Sequence, residues 1–342
     1  MLIAKYTSKT QGLRPTFNDG YAYTVTKEKL INDIYEVELS ADTDFSSVNF
    51  KEQADLLTVD YLKVTSKVTT LERLFENCKS LTMADTSNFD TSNVVNMYKM
   101  CIGCNKLVNL DVSKWTTDKL TSILYAFTDC FKLTELDVST WNVSNVKNCH
   151  HVFTNCRKLI HLNLSKWEVK NVTATYNMFS GCSSLVSVDL SGWNMNKVTD
   201  MTDMFTNCSK LQHVGMLYCD SNTVNAIANA LPTVSGLTRT IYIQDTKNDI
   251  YTPRDNIVFY DYADSRTIIT LPQPLNSGDM LIWDDSLMKY ILKKSDSSVI
   301  EIDTHVKYVL DVFRPYYRIE TDEKESPPSS MTVKLYISKD VE

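Results

Sequence analysis

Six cysteines, Cys78, Cys104, Cys130, Cys156, Cys182 and Cys208, recur at a strict interval of 26 residues, with no insertion or deletion between them. A register kept that rigidly means one structural unit is reused along the chain, each copy meeting the next through the same positions. The array covers residues 56–232, and the segments on either side do not share its period.

Other columns of the repeat show what the period buries. Three residues before each cysteine stand Phe75, Cys101, Phe127, Phe153, Phe179 and Phe205, and three after it stand Leu81, Leu107, Leu133, Leu159, Leu185 and Leu211. Leu110, Leu136, Leu162 and Val188, then Val112, Val138, Leu164 and Leu190, alternate with polar residues at period two, which reads as a short strand with one buried face. Phe89, Trp115, Trp141, Trp167 and Trp193 follow as an aromatic column. Val198, Met201, Met204 and Phe205 then fall at i, i+3, i+6 and i+7, which predicts a short helix. Asn77, Gly103, Asp129, Asn155, Gly181 and Asn207, just ahead of the ladder cysteines, are residue types that tolerate the left-handed conformation in which helices end.

Each coil is therefore expected to run strand, turn, short helix, turn. A period of roughly 20–29 residues with a leucine after the ladder position points to a leucine-rich-repeat solenoid. The expected class is α/β. No coil can bury its apolar columns alone, so several must stack and both ends need covers. Residues 1–55, with alternating stretches such as Ile34-Tyr35-Glu36-Val37-Glu38-Leu39, are expected to form a β-rich cap. Residues 233–342, with Thr240-Ile241-Tyr242-Ile243 and Met331-Thr332-Val333-Lys334-Leu335, are expected to form a separate all-β module. Between array and module, Thr223 to Leu231 reads as a last helix stopped by Pro232.

The unit Trp193-Asn194-Met195-Asn196-Lys197-Val198-Thr199-Asp200-Met201-Thr202-Asp203-Met204-Phe205-Thr206-Asn207-Cys208-Ser209-Lys210-Leu211 resembles the BspA-like leucine-rich repeat of bacterial surface proteins and some phage proteins. The resemblance covers about half the chain and implies an extended binding or display surface rather than a reaction. A shorter stretch, Leu271-Pro272-Gln273-Pro274-Leu275-Asn276-Ser277-Gly278-Asp279 and the following Met280 to Leu292, resembles segments of tailed-phage minor structural and tail-tip proteins.

A net charge of −7 gives no overall electrostatic footprint for nucleic acid, and no run of 18 apolar residues is present to span a membrane. Met1 to Thr10 lacks the basic and apolar blocks of a secretory leader. The nine cysteines do not call for disulfides: six form the ladder, and Cys101, Cys149 and Cys219 replace residues of the phenylalanine, methionine and tryptophan columns, so all read as small buried groups suited to assembly in a reducing cytosol. Cys101-Ile102-Gly103-Cys104 then reads as two columns crossing, not a redox or zinc motif.

Candidate chemistry concentrates on the outward strand positions. Asp85, Asp111, Asp137, Asn163 and Asp189 form one column, beside the serines Ser87, Ser113, Ser139, Ser165 and Ser191. This column has two readings, a structural ladder and a cation- or ligand-binding face. With the neighbouring column it defines a candidate partner-binding face of Asn109, Asp111, Glu135, Asp137, His161, Asn163 and Asp189. The tryptophans read as core rather than as a sugar platform. His150, His151 and His161 lack metal-ligand spacing, and the sequons at Asn142, Asn163, Asn171 and Asn207 recur because the repeat is rich in Asn, Ser and Thr. No phosphate loop or nucleophile elbow appears, so no catalytic, metal or cofactor residue is assigned.

These observations lead to a non-enzymatic phage virion protein, a tail or peripheral appendage component assembled in the host cytoplasm. Its expected partners are other virion proteins, further copies of itself in a homo-oligomer, and a host cell-surface polymer or protein; nucleic-acid binding and membrane insertion are not expected. A bacterial cell-surface adhesin with the same repeats is the alternative. A glycan-degrading enzyme is the third reading and would need two carboxylates about 5–9.5 Å apart.

Overall fold

The computed structural model describes residues 1–243 apart from Asp19, Leu217, Gly236 and Thr238, and beyond these the backbone of several strands. The chain divides into one unit of Met1–Ile243 with Asn248–Phe259 and a second of Gln244–Lys247 with Tyr260–Glu342. The expected all-β module, and the phage-like stretch within it, lie largely outside the described residues.

The chain opens with strands β1 (Leu2–Ser8), β2 (Thr16–Phe17), β3 (Thr24–Ile31), β4 (Ile34–Ser40), β5 (Val48–Asn49) and β6 (Leu56–Leu62). The sheet order β3-β4-β1-β6 continues into β7 (Met83–Ala84). β3 and β4 join through Asn32 and Asp33, both at positive φ, as a two-residue hairpin turn requires. The first four strands pair antiparallel, whereas β6 meets β7 in parallel, Thr58 opposite Met83 and Val59 opposite Ala84. The change is the hand-over from cap to array. Tyr6, Val37, Leu39, Val59 and Leu62 are buried on the face that joins the common core.

Past β7 the chain repeats in stacked coils. The parallel bridges Met83–Asn109, Asn109–Glu135, Thr70–Asn96 and Asn96–Ser122 each join residues one period apart. In the later coils the same register lengthens into β8 (His161–Asn163), β9 (Ser187–Asp189), β10 (His213–Gly215) and β11 (Arg239–Ile243), all parallel. Ladder cysteines, phenylalanines and tryptophans are buried as expected. Phe153 lies between Phe127 and Phe179 with ring centroids 5.9 and 5.7 Å away and nearly parallel planes.

Most polar atoms of these buried columns are satisfied by the coil before, the indole N–H of Trp115 being an exception. Cys104, Cys156 and Cys182 donate their thiol protons to the carbonyls of Phe75, Phe127 and Phe153 at 3.0, 3.2 and 3.0 Å. Trp141, Trp167 and Trp193 donate Nε1–H to Val112, Val138 and Leu164 at 3.2, 2.9 and 3.0 Å. A cysteine is thus small enough for the core, and its thiol finds an acceptor in a carbonyl that also takes a backbone N–H, as Phe75 takes that of Cys78 at 3.0 Å.

The expected α/β solenoid of strand-helix coils is not what forms. The chain is mostly β, and the one helix among the described residues is α1 (Ser221–Ala230), which starts at Asp220, whose carboxylate accepts the Thr223 N–H at 2.8 Å. Where the apolar spacing predicts a helix in every coil, the backbone instead makes successive turns. Two columns sit at positive φ, four residues apart. One is the expected column ahead of the cysteines, with Asn77 at 57° and Gly103 at 73°; the other is Arg73, Lys99, Tyr125, His151, Asn177 and Asp203, at 54–59°. A helix cannot continue through such residues.

Hydrogen bonding follows from that alternation. Leu74, Glu76 and Cys78 donate N–H three residues back within the coil, to Leu71, Arg73 and Phe75. Leu71, Arg73, Phe75 and Asn77, between them, donate to Asn96, Tyr98, Met100 and Ile102 of the next coil at 2.7–2.9 Å. Half the donors a helix would use internally are spent between coils, so turns and stacking replace the helix. The ladder begins before the array as read from sequence: Phe50 and Glu52 donate to Leu74 and Glu76, and the Phe50 ring stacks on Phe75 at 5.9 Å.

Toward the C-terminus the backbone forms β12 (Ile257–Asp261), β13 (Ile268–Leu271), β14 (Met280–Asp284), β15 (Lys289–Lys293), β16 (Val299–Ile302) and β17 (Met331–Lys334). β14, β15 and β16 pair antiparallel in sequence, and β13 pairs with β17.

Candidate functional site

The outward strand columns are organised by a local turn. The side-chain Oδ1 of Asp111 accepts the Ser113 N–H at 3.1 Å and its hydroxyl at 2.6 Å. Asp137 does the same with Ser139 at 3.0 and 2.6 Å, and Asn163 with Ser165 at 3.0 and 2.8 Å. Asp85 and Asp189 accept the N–H of Ser87 and Ser191, each at 2.9 Å. An Asx turn of this kind ends the strand and bends the chain toward the tryptophan column. One oxygen of each side chain is therefore structural, which favours the ladder reading of the column. The Ser113 hydroxyl, then its N–H, hold the Asp111 carboxyl below the usual carboxylate range.

Asn109, Asp111, Glu135, Asp137 and His161 are exposed and Asn163 is half-buried, so six of the seven expected residues reach solvent on one face. Asp189 does not. It is only 8% exposed, and burial pushes its carboxyl up despite the bonds from Ser191. The expected face thus stops short of β9. Bridging brings Asn109 opposite Glu135, and strand pairing brings His161 opposite Ser187 and Asn163 opposite Asp189.

The histidines separate into two places. His161 Nδ1 lies 2.7 Å from Ser187 Oγ, and His213 sits on the far side of Ser187 in the same strand register. Burial, and then His161, lower the His213 pKa to about 4. His150 and His151 belong to another corner of the stack, where they interleave with tyrosines. His151 stacks on Tyr125 at 4.7 Å and His150 on Tyr176 at 4.3 Å, while Tyr98 meets Tyr125 edge-on at 6.2 Å. Burial lowers both pKa values, the Asp129 carboxylate opposing it at His151 and Asp200 at His150. The spacing of His150, His151 and His161 along the chain does not by itself reveal this aromatic corner. The signal was there, since Tyr98, His150 and Tyr176 occupy one column of the repeat.

Nothing among the described residues groups three or more His, Cys, Asp or Glu side chains in a way suited to a metal ion. All nine cysteines are buried free thiols. Burial drives Cys104, Cys130, Cys156 and Cys182 well above the ordinary thiol range, which removes the thiolate that redox exchange or metal capture needs. No helix among the described residues is long and apolar enough to cross a membrane. The surface best organised for an interaction is the exposed strand face of Asn109, Asp111, Glu135, Asp137, His161 and Asn163.

Two overlapping segments, residues 43–159 and 121–235, match the family described as "Mycoplasma protein of unknown function, DUF285". Together they span more than half the chain, which therefore belongs to that family. The first match starts just ahead of Phe50, where the inter-coil ladder starts. No curated protein gives a match to this chain.

Proposed function

We propose that this is a non-enzymatic recognition protein, a component of a phage tail or peripheral appendage that contributes to host-surface attachment. The observation that carries the recognition reading is the exposed face of Asn109, Asp111, Glu135, Asp137, His161 and Asn163. Coil-to-coil hydrogen bonds and a continuous buried core lie behind it. A face ordered before contact loses little conformational freedom on binding, which removes one of the costs of association. The virion placement rests on the resemblance of the stretch from Leu271 to Leu292 to tail-tip proteins.

A second reading is a bacterial cell-surface adhesin, and the naming of the family for a bacterial genus favours it. Both readings use the same face and differ in the carrier. The double change Glu135→Lys with Asp137→Lys tests the shared part. Both side chains are exposed, so the variant should melt like the parent while binding to bacterial cells falls at least tenfold. Unchanged binding would remove the face from the account. Antibody labelling of intact cells against co-sedimentation with phage particles decides the carrier.

A further inference from the structure

The repeat also builds a row of cations that neither the family nor the strand face accounts for. The second residue after the ladder cysteine is Lys106, Lys132, Lys158 and, two coils on, Lys210. All four are exposed. Lys106, Lys132 and Lys158 belong to consecutive coils, and stacked strands set a rise of about 4.8 Å per coil. Arg157 lies beside the row, its guanidinium carbon 4.3 Å from the centroid of the half-buried Phe131 ring. That stacking holds an otherwise flexible charge in place. None of these five cations is in an ion pair among the described residues. In a chain of net charge −7, this single file of positive charge has no ion-pair partner among the described residues to explain it.

We propose that this ridge binds a linear acidic polysaccharide laid along the stack, its carboxylates following the lysine column one coil at a time. The shape of the charge selects that partner. Glu135 is three residues from Lys132, and Asp137 and Asp111 are five from Lys132 and Lys106, at most about 18 Å along an extended backbone. A nucleic-acid duplex, with one charge per about 1.7 Å of axis on two strands, would bring part of its phosphate against those acidic columns. A single-stranded nucleic acid would seek open aromatic faces on which bases can stack, and Phe131 is already covered by Arg157. A single-file polyanion follows the ridge and meets fewer of these acids than a duplex would, and its hydroxyls suit the neighbouring Ser183 and Ser209. The inference stands apart from the strand-face reading, since it uses different residues of opposite charge.

The test is binding of the full chain to polygalacturonate, with neutral dextran, an oligodeoxythymidylate and a DNA duplex as comparisons. The triple change Lys106→Glu, Lys132→Glu, Lys158→Glu is set against Lys114→Glu, Lys147→Glu, Lys166→Glu, which alters net charge equally at other exposed lysines. The proposal expects polygalacturonate bound and dextran not, affinity falling as salt rises, at least a tenfold loss in the ridge variant and less than twofold in the other. Matching melting curves for the two variants show that the loss is not unfolding. Failure of the parent to bind polygalacturonate, equal losses in both variants, or tighter binding of either DNA overturns it.

Discussion

Replacing Phe153 by alanine removes the centre of the aromatic column. The ring has no solvent exposure, is sandwiched between Phe127 and Phe179, and meets Trp167 at 6.0 Å with a 36° tilt. Emptying a packed phenylalanine site costs about 3–5 kcal/mol. Aromatic pairs contribute about 0.5–1.5 kcal/mol each beyond area, and this ring loses two stacked neighbours, which places the change in the upper half of that range, about 4–5 kcal/mol. Domains are stable by only about 5–15 kcal/mol, so the variant should lie near the edge of folding. The assay is equilibrium urea unfolding followed by tryptophan fluorescence, to which the adjacent Trp167 contributes. Phe131→Ala is the comparison, since that ring is half-buried and its recorded ring contact is with Arg157; it should cost about 1 kcal/mol or less. A loss below about 2 kcal/mol for Phe153→Ala, or equal losses for the two variants, would refute the stacked-column reasoning.

Native thiol labelling should be slow at Cys130 and Cys156, which are fully buried and held protonated, and rapid modification at either would contradict the core placement. Gly181→Ala should destabilise by at least about 1–2 kcal/mol, because φ is +76° and the new Cβ would meet Asn155 Oδ1; a neutral effect in thermal melts would exclude that strain. Stability should fall on acidification between about pH 6.5 and 4. Burial lowers the folded His213 pKa to about 4 from the ordinary histidine value of 6.5, so in that window the unfolded chain takes up a proton that the folded chain refuses, costing about 3 kcal/mol in full. His150 and His151 act in the same direction. Urea titrations across that window check it, and His213→Gln should flatten the dependence; a slope unchanged by the substitution would show that His213 is not its source.

Much of the array was legible because a repeat reports each position several times. The cysteine, phenylalanine, leucine and tryptophan columns are all core, and the Asn-or-Gly column does sit at positive φ. The helix was misread because a train of three-residue turns spaces apolar side chains much as a helix does. Its distinguishing mark, the second positive-φ column, is Arg73, Lys99 and Tyr125 in the first three coils, residue types that do not announce a left-handed backbone, and only later His151, Asn177 and Asp203, which tolerate it. Asp189 was misplaced for a different reason. Repeat logic assigns it the exposure of Asp111 and Asp137, whereas its burial belongs to the C-terminal end of the array, where the surroundings no longer repeat. The hairpin at Asn32 and Asp33 and the cap at Asp220 are local devices; the last helix, expected over Thr223 to Leu231 ahead of Pro232, forms over Ser221–Ala230.

The central structural claim is that each coil gives alternate backbone donors to the next instead of closing a helix. Through-hydrogen-bond scalar coupling, measured by NMR on deuterated protein, reads the partner of a chosen amide directly. At Phe153 the account predicts coupling to the carbonyl carbon of Met178, whose oxygen accepts that N–H at 3.0 Å. Coupling to the carbonyl of Cys149, four residues earlier in the same coil, would be the mark of a helix and would contradict it.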